Sequence, residues 1–163
     1  MMQRVLKKVY ESKKLSIFLK IISHASTLYS AFAFLEMLTL LYRESLLAAI
    51  KVAVFAAVPF VIVTLVRRLI NAPRPYEIYP FYKKKPKGKG GRSFPSRHVF
   101  SAFVIAVLGY TVCPVPVVIA LMLPGVLLAV SRVLLGIHFI RDVLAGALIG
   151  IASGVIGVLL FML

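Results

Sequence analysis

The chain alternates between long apolar runs and short polar breaks. The apolar runs cover 15–42, 46–66, 99–112, 115–131 and 143–163. A membrane-crossing helix needs about 20 predominantly apolar residues. The first run suits one tilted span and is too short for two; the third is a short one. Pro59 and Pro124 lie inside runs, where a membrane helix tolerates them as kinks. Ahead of the first run, Val5, Leu6 and Val9 can share a helix face, ringed by Arg4, Lys7, Lys8, Lys13 and Lys14. This pattern predicts a short amphipathic helix over 1–14, lying on an anionic surface. Ala31-Phe32-Ala33 would fit a signal-cleavage site, but apolar sequence continues beyond it, so an uncleaved span is expected. The expectation is an all-α polytopic membrane helix bundle, with about five transmembrane helices plus the N-terminal amphipathic helix, in one membrane domain over 1–163.

Tyr42-Arg43-Glu44-Ser45 is a tight polar turn between the first two spans. The long polar segment is 67–97. It opens on Arg67-Arg68 and Asn71-Ala72-Pro73-Arg74-Pro75, followed by Tyr76, Tyr79, Phe81 and Tyr82, which suit an interfacial aromatic belt. A basic loop follows, from Lys83 to Arg92, whose Gly and Pro work against regular structure and whose charges suit anionic lipid headgroups. Lys20, His24 and Glu36 interrupt the first run. His24 suits a packed or interfacial position, and Glu36 could face the bundle interior. In the last span Gly146, Gly150 and Gly154 recur every four residues, a spacing that lets helices approach closely, within the bundle rather than between copies.

Composition supports the membrane assignment. The chain is 61% hydrophobic with a mean hydropathy of +0.97, whereas soluble domains are about 45–50% apolar. A net charge of +15 is concentrated outside the apolar runs. It implies anionic partners such as lipid headgroups or phosphorylated substrates. Basic residues beside a bilayer already have such a partner, so nucleic acid is not expected. The single Cys113 excludes an internal disulfide and argues against a cysteine metal site; it suits a small buried apolar position. Neither a nucleotide fingerprint nor a larger repeat is present, and no metal or cofactor is expected.

The chemistry concentrates in two short stretches. Ser131-Arg132-Val133-Leu134-Leu135-Gly136-Ile137-His138-Phe139-Ile140-Arg141-Asp142 holds the chain's one Asp and one of its three His. On a helix, His138 and Asp142 would share a face. A carboxylate beside an imidazole holds one ring nitrogen as N–H and leaves the other free to attack or take a proton. Arg132 adds a planar fork of donors suited to phosphate or carboxylate. A helix N-terminus with ordinary interfacial charges would explain the same residues. The other stretch is Ser93-Phe94-Pro95-Ser96-Arg97-His98, with an apolar helix beginning at once and Ser96 as its expected cap. Cations at a helix N-terminus oppose its dipole, so Arg97 and His98 make better sense around a negative ligand. Two crossings separate the stretches, which puts both on one membrane face. There Arg67, Arg74, Arg97 and Arg132 could surround one anionic group, with His98 and His138 beside it.

Arg67, then six residues, Arg74-Pro75; Pro95-Ser96-Arg97-His98; Ser131-Arg132, then five residues, His138, three residues and Asp142: this order and spacing resembles the three-part signature of the type 2 phosphatidic acid phosphatase superfamily, membrane lipid phosphatases sharing motifs with vanadium haloperoxidases. The resemblance covers about residues 60–160. It implies that His138 is the nucleophile that becomes a phosphohistidine, that Asp142 orients it, and that His98 protonates the leaving oxygen. It further implies that Arg67, Arg74, Ser96, Arg132 and the backbone near Arg97 hold the phosphate, without a metal. Two positions depart from the signature: Arg67 stands where Lys is usual, and Arg97 where Gly is usual. Arg97 could meet a second phosphate or point to headgroups. The implied substrate is a lipid monoester or diphosphate of undecaprenyl diphosphate, phosphatidylglycerophosphate, phosphatidic acid or lipid A type. The alternatives are a non-catalytic lipid-phosphate binding or transport protein, or a basic membrane anchor. The family commonly has six spans against the five counted here, and sidedness conflicts. Every Lys and Arg except Arg43 and Lys51 falls on the active face, which the positive-inside rule assigns to the cytoplasm; the resemblance implies the opposite side.

Overall fold

The computed structural model describes residues 2–82 and 90–163, and its secondary structure there is helical. Most of the basic loop, from Lys83 to Lys89, lies outside the described residues, as does the expected headgroup contact there. The chain forms α1 (Met2–Glu11), α2 (Lys13–Glu44), α3 (Leu46–Ile70), α4 (Pro75–Ile78), α5 (Arg97–Leu108), a 3-10 turn (Gly109–Thr111), α6 (Val115–Leu134) and α7 (Ile140–Met162). By length and composition, α2, α3–α4, α6 and α7 can each cross a membrane.

Caps set the breaks. The Ser12 hydroxyl accepts from the Leu15 N–H at 3.4 Å and starts α2. Ser45 is the only residue between α2 and α3. It is extended, and its hydroxyl accepts from the Ala48 N–H at 3.4 Å, so one residue makes the reversal. Asn71, left-handed at φ 45, ends α3. The amphipathic α1 buries Leu6 and Val9, as the pattern predicts, but Val5 stays exposed. The aromatic residues expected to suit an interfacial belt pack against one another. Tyr79 stacks on Phe81 at 5.7 Å, Phe81 meets Tyr82 at 4.5 Å, and Tyr10 of α1 meets Tyr82 edge-on at 5.0 Å. Glu36, expected to be able to face the interior, is exposed but lines a groove with Ile105 of α5 and Val117 and Leu121 of α6. His24 is also exposed, its Nδ1 2.7 Å from the Lys20 carbonyl.

α5 is the centre of the bundle. Val99, Phe100, Ala102, Phe103, Val104, Ala106, Val107 and Leu108 are all buried, and α2, α3, α6 and α7 pack around it. With its 3-10 extension it reaches only about 24 Å, short of a hydrocarbon core of about 30 Å. It still runs from one end of the bundle to the other, because residues 110–114 at its end line one pocket with Arg43, Glu44 and Met162 at the far ends of α2 and α7. The loop before it is drawn into the protein: Ser93, Pro95 and Ser96 are fully buried. Irregular backbone is tolerated at such a place because protein covers it.

The α5–α7 contact explains the glycine spacing. A Cβ on Gly146 would come 2.6 Å from the Ser96 carbonyl oxygen, and one on Gly150 would come 2.7 Å from that of Phe100. Both obstacles are backbone, so the glycines serve packing within the bundle. Gly146→Ala is therefore expected to cost about 1–3 kcal/mol of stability, read as a lowered thermal midpoint in detergent. An unchanged midpoint would contradict the close approach.

Candidate functional site

The site is a meeting of three chain segments: the end of α3, the buried loop before α5, and the loop from α6 to α7. Backbone hydrogen bonds tie them together. Ser93 N–H donates to the Ala72 carbonyl at 2.8 Å, Ser96 N–H to Asp142 at 2.9 Å, and Tyr76 N–H to Gly136 at 3.2 Å. The two chemical stretches of the sequence are thus in direct contact at one end of the bundle. The 135–139 loop folds under Arg132, whose carbonyl accepts from Ile137 N–H at 3.0 Å and His138 N–H at 3.3 Å. Gly136 is left-handed at φ 68, and a Cβ there would meet the Tyr82 hydroxyl.

His138 and Asp142 do not share a helix face, as the spacing alone had suggested. α7 begins at Ile140, which leaves His138 in the loop. Asp142 lies in the first turn, where its Oδ2 accepts from the Phe139 N–H at 2.9 Å and caps the helix. His138 Nδ1 is 3.6 Å from Asp142 Oδ2, too far for a hydrogen bond. Ser93 fills the gap. Its hydroxyl donates to Asp142 Oδ2, and its oxygen lies 3.3 Å from His138 Nδ1. With its one proton given to Asp142, Ser93 can only accept from the imidazole. This network assigns the proton to Nδ1 and leaves Nε2 with a free lone pair. Asp142 and Ser93 are fully buried, and His138 is 2% exposed. Sequence reasoning missed Ser93, because a serine five residues before a motif histidine carries no local signal of a contact 49 residues away.

The arginines converge by different routes. Arg67, buried in the last turn of α3, donates from Nη1 to the Pro95 carbonyl at 2.9 Å. Arg74 donates from Nε to the Gly91 carbonyl at 3.1 Å and lies over the Tyr76 ring at 5.8 Å. Glu77, also missed, clamps this corner. It accepts from the Arg74 N–H at 2.7 Å and from the Gly91 N–H at 2.8 and 2.9 Å. Arg132 ends α6 with its Nε buried and without a protein acceptor. The Ser96 hydroxyl is likewise buried and unpartnered; Ser96 holds the cap position of α5 without using its side chain as a cap. Arg97 and His98 occupy the first turn, and His98 opens on a cavity of about 230 Å³. His98 lies in electrostatic reach of Arg132, His138, Arg97 and Arg67, and Arg67 of Arg74, Arg97 and Asp142. All eight residues expected at the site are gathered at one end of the bundle.

Several cations and two buried, unpartnered donors gather at this end, where, among the described residues, the nearby carboxylates Asp142 and Glu77 are already hydrogen-bonded by Ser93, Phe139, Arg74 and Gly91. Such a place attracts an anion. Burial also pushes the His138 imidazole below its ordinary range, although Asp142 pulls it partly back. His138 therefore takes its proton at a lower pH than the free imidazole's value of about 6.5. The unfolded chain binds that proton first, so stability falls as pH drops through this value. ¹⁵N NMR of histidine-labelled protein should show the neutral Nδ1–H form of His138 persisting to lower pH than in a free histidine; titration at or above the free value would contradict the burial.

A helical membrane bundle with a histidine pair and an arginine cluster at one edge defines the class. Residues 46–162 match the family model of the PAP2 superfamily, and the chain belongs to that superfamily. The chain is 33% identical over 101 residues to decaprenylphosphoryl-5-phosphoribose phosphatase from two strains of Mycobacterium tuberculosis. That match covers 62% of this chain, and the chain spans about half the length, 54%, of these relatives. The fold resembles the crystal structure of Aquifex aeolicus LpxE with a TM-score of 0.71 at 24% identity, covering 95% of this chain and 91% of that one. It also resembles a Bacillus subtilis transmembrane PAP2-type phosphatidylglycerolphosphate phosphatase with a TM-score of 0.71 at 21% identity, covering 98% and 83%.

Proposed function

We propose that this protein is a lipid phosphate phosphatase that works through a phosphohistidine at His138. The observation that carries the reading is the buried His138–Ser93–Asp142 chain, which leaves Nε2 free beside the arginines. In this reading Arg67, Arg74, Arg132 and Ser96 hold the phosphoryl oxygens and neutralise their charge. Phosphoryl transfer needs such positioning and charge stabilisation more than elaborate covalent chemistry. Nε2 attacks phosphorus, the P–O bond to the lipid breaks, and the leaving oxygen takes the His98 proton. Water then attacks the phosphohistidine, releases inorganic phosphate and restores His138. Membership of the PAP2 superfamily and the Mycobacterium tuberculosis phosphatase support a phosphorylated lipid as substrate. A non-catalytic binding or transport protein would need no reactive imidazole. The guanidinium groups take the place a metal would otherwise hold, so activity should survive EDTA.

The test is phosphate release from purified lipid phosphates with EDTA present. His138→Ala should abolish release, and His98→Ala should lower it about 10²–10⁴-fold for a monoester. Release that survives His138→Ala would sink the reading. Burial and then Arg132 lower the His98 pKa to about 3, and a bound phosphate's negative charge raises it. With His138 attacking neutral and His98 donating protonated, the rate should fall on both sides of a pH optimum; a flat profile with chemistry limiting would contradict the paired roles. Ser93→Ala should lower kcat by about 10- to 100-fold, with recovery in Ser93→Thr.

The charge bias supports a cytoplasmic site. In a Cys113→Ser background, Ile78→Cys on the exposed end of α4 should resist an impermeant maleimide in intact cells. Labelling there would place the site outside.

A further inference from the structure

Arg97 lies in electrostatic reach of Arg67 and His98. Its guanidinium lies over the Phe60 ring of α3 at 5.7 Å. Phe60 is seven residues before Arg67 on that helix, about 10 Å deeper in the bundle. No carboxylate or carbonyl partners Arg97 among the described residues; its one specific contact is that ring. A cation held against apolar side chains without a counter-ion is costly and normally marks a function.

The surroundings say what that function is. Arg97 and His98 share the 230 Å³ cavity with Phe60, Ala31 and Leu128, whereas His138 opens on a separate cavity with Tyr79 and Phe139. In-line displacement puts the leaving oxygen opposite the attacking Nε2, on the His98 side. The Arg97 cavity is therefore where the leaving group sits, its apolar walls suited to a lipid chain. We infer that Arg97 binds a second phosphate carried by the leaving group, so that the protein prefers lipids bearing two phosphates over lipid monophosphates. This rests on the phosphatase reading above.

The reaction balances as follows. His138 Nε2 bonds to the terminal phosphorus, and the bridging oxygen departs with the bonding pair onto the second phosphate. Arg97 offsets the charge that builds there, His98 supplies a proton, and water later frees inorganic phosphate. A bilayer lipid phosphate could also bind Arg97. It would be present whichever substrate is used and would give no preference.

The experiment compares kcat/KM for a monophosphate and a diphosphate of one polyprenol chain, with a third substrate whose two phosphates are spaced by a sugar. Wild type should prefer one of the two-phosphate substrates, and which one tells whether the phosphates are joined directly or through the sugar. Arg97→Gln should lower that preference about 10- to 100-fold, with partial recovery in Arg97→Lys. A preference within about twofold of wild type, or equal losses on all substrates, would overturn the inference. Should Arg97→Gln not fold, wild type decides: a lipid methylenebisphosphonate should inhibit more tightly than the phosphonate of the same chain, and equal inhibition would overturn it. If wild type hydrolyses none of the three but releases phosphate from another lipid phosphate, the inference has failed; release from no lipid phosphate would mean that the phosphatase reading itself has failed.

Discussion

A buried carboxylate holds the structure's working end together. Asp142 has no exposed surface, and an ionised group there must be satisfied by the protein. Its Oδ2 takes the Ser93 hydroxyl and the Phe139 N–H, while Oδ1 is buried without a hydrogen-bond partner and has the Arg141 Nε charge 3.6 Å away. Its carbonyl takes the Ser96 N–H. One residue thus binds the first turn of α7 to the loop before α5 and to the loop that carries His138. Folding of this end and orientation of the imidazole are the same event.

The membrane makes that arrangement possible. Loops at hydrocarbon depth are viable only when protein covers them. α5 is short and wrapped on all sides, which leaves a covered recess at its N-terminus for Ser93, Pro95 and Ser96. The glycines of α7 bring that helix against the same recess, since Gly146 faces the Ser96 carbonyl. Small residues deep in the bundle therefore decide how closely Asp142 and Ser93 can approach.

Much of this was legible in the sequence. Hydropathy located the helices, and counting crossings brought two distant stretches to one face. The eight expected site residues do meet there. Periodicity could not show that α7 starts at Ile140, so a helical His138–Asp142 pair was expected where a capped loop exists. It could not show Ser93 or Glu77 either, because their partners are defined by the tertiary approach of distant loops.

The most direct measurement is rapid-quench trapping with a lipid carrying ³²P in its terminal phosphate. The account predicts an acid-labile, alkali-stable phosphohistidine on His138, absent in His138→Ala and formed more slowly in Ser93→Ala. Turnover with no labelled protein, or label that persists without His138, would contradict it.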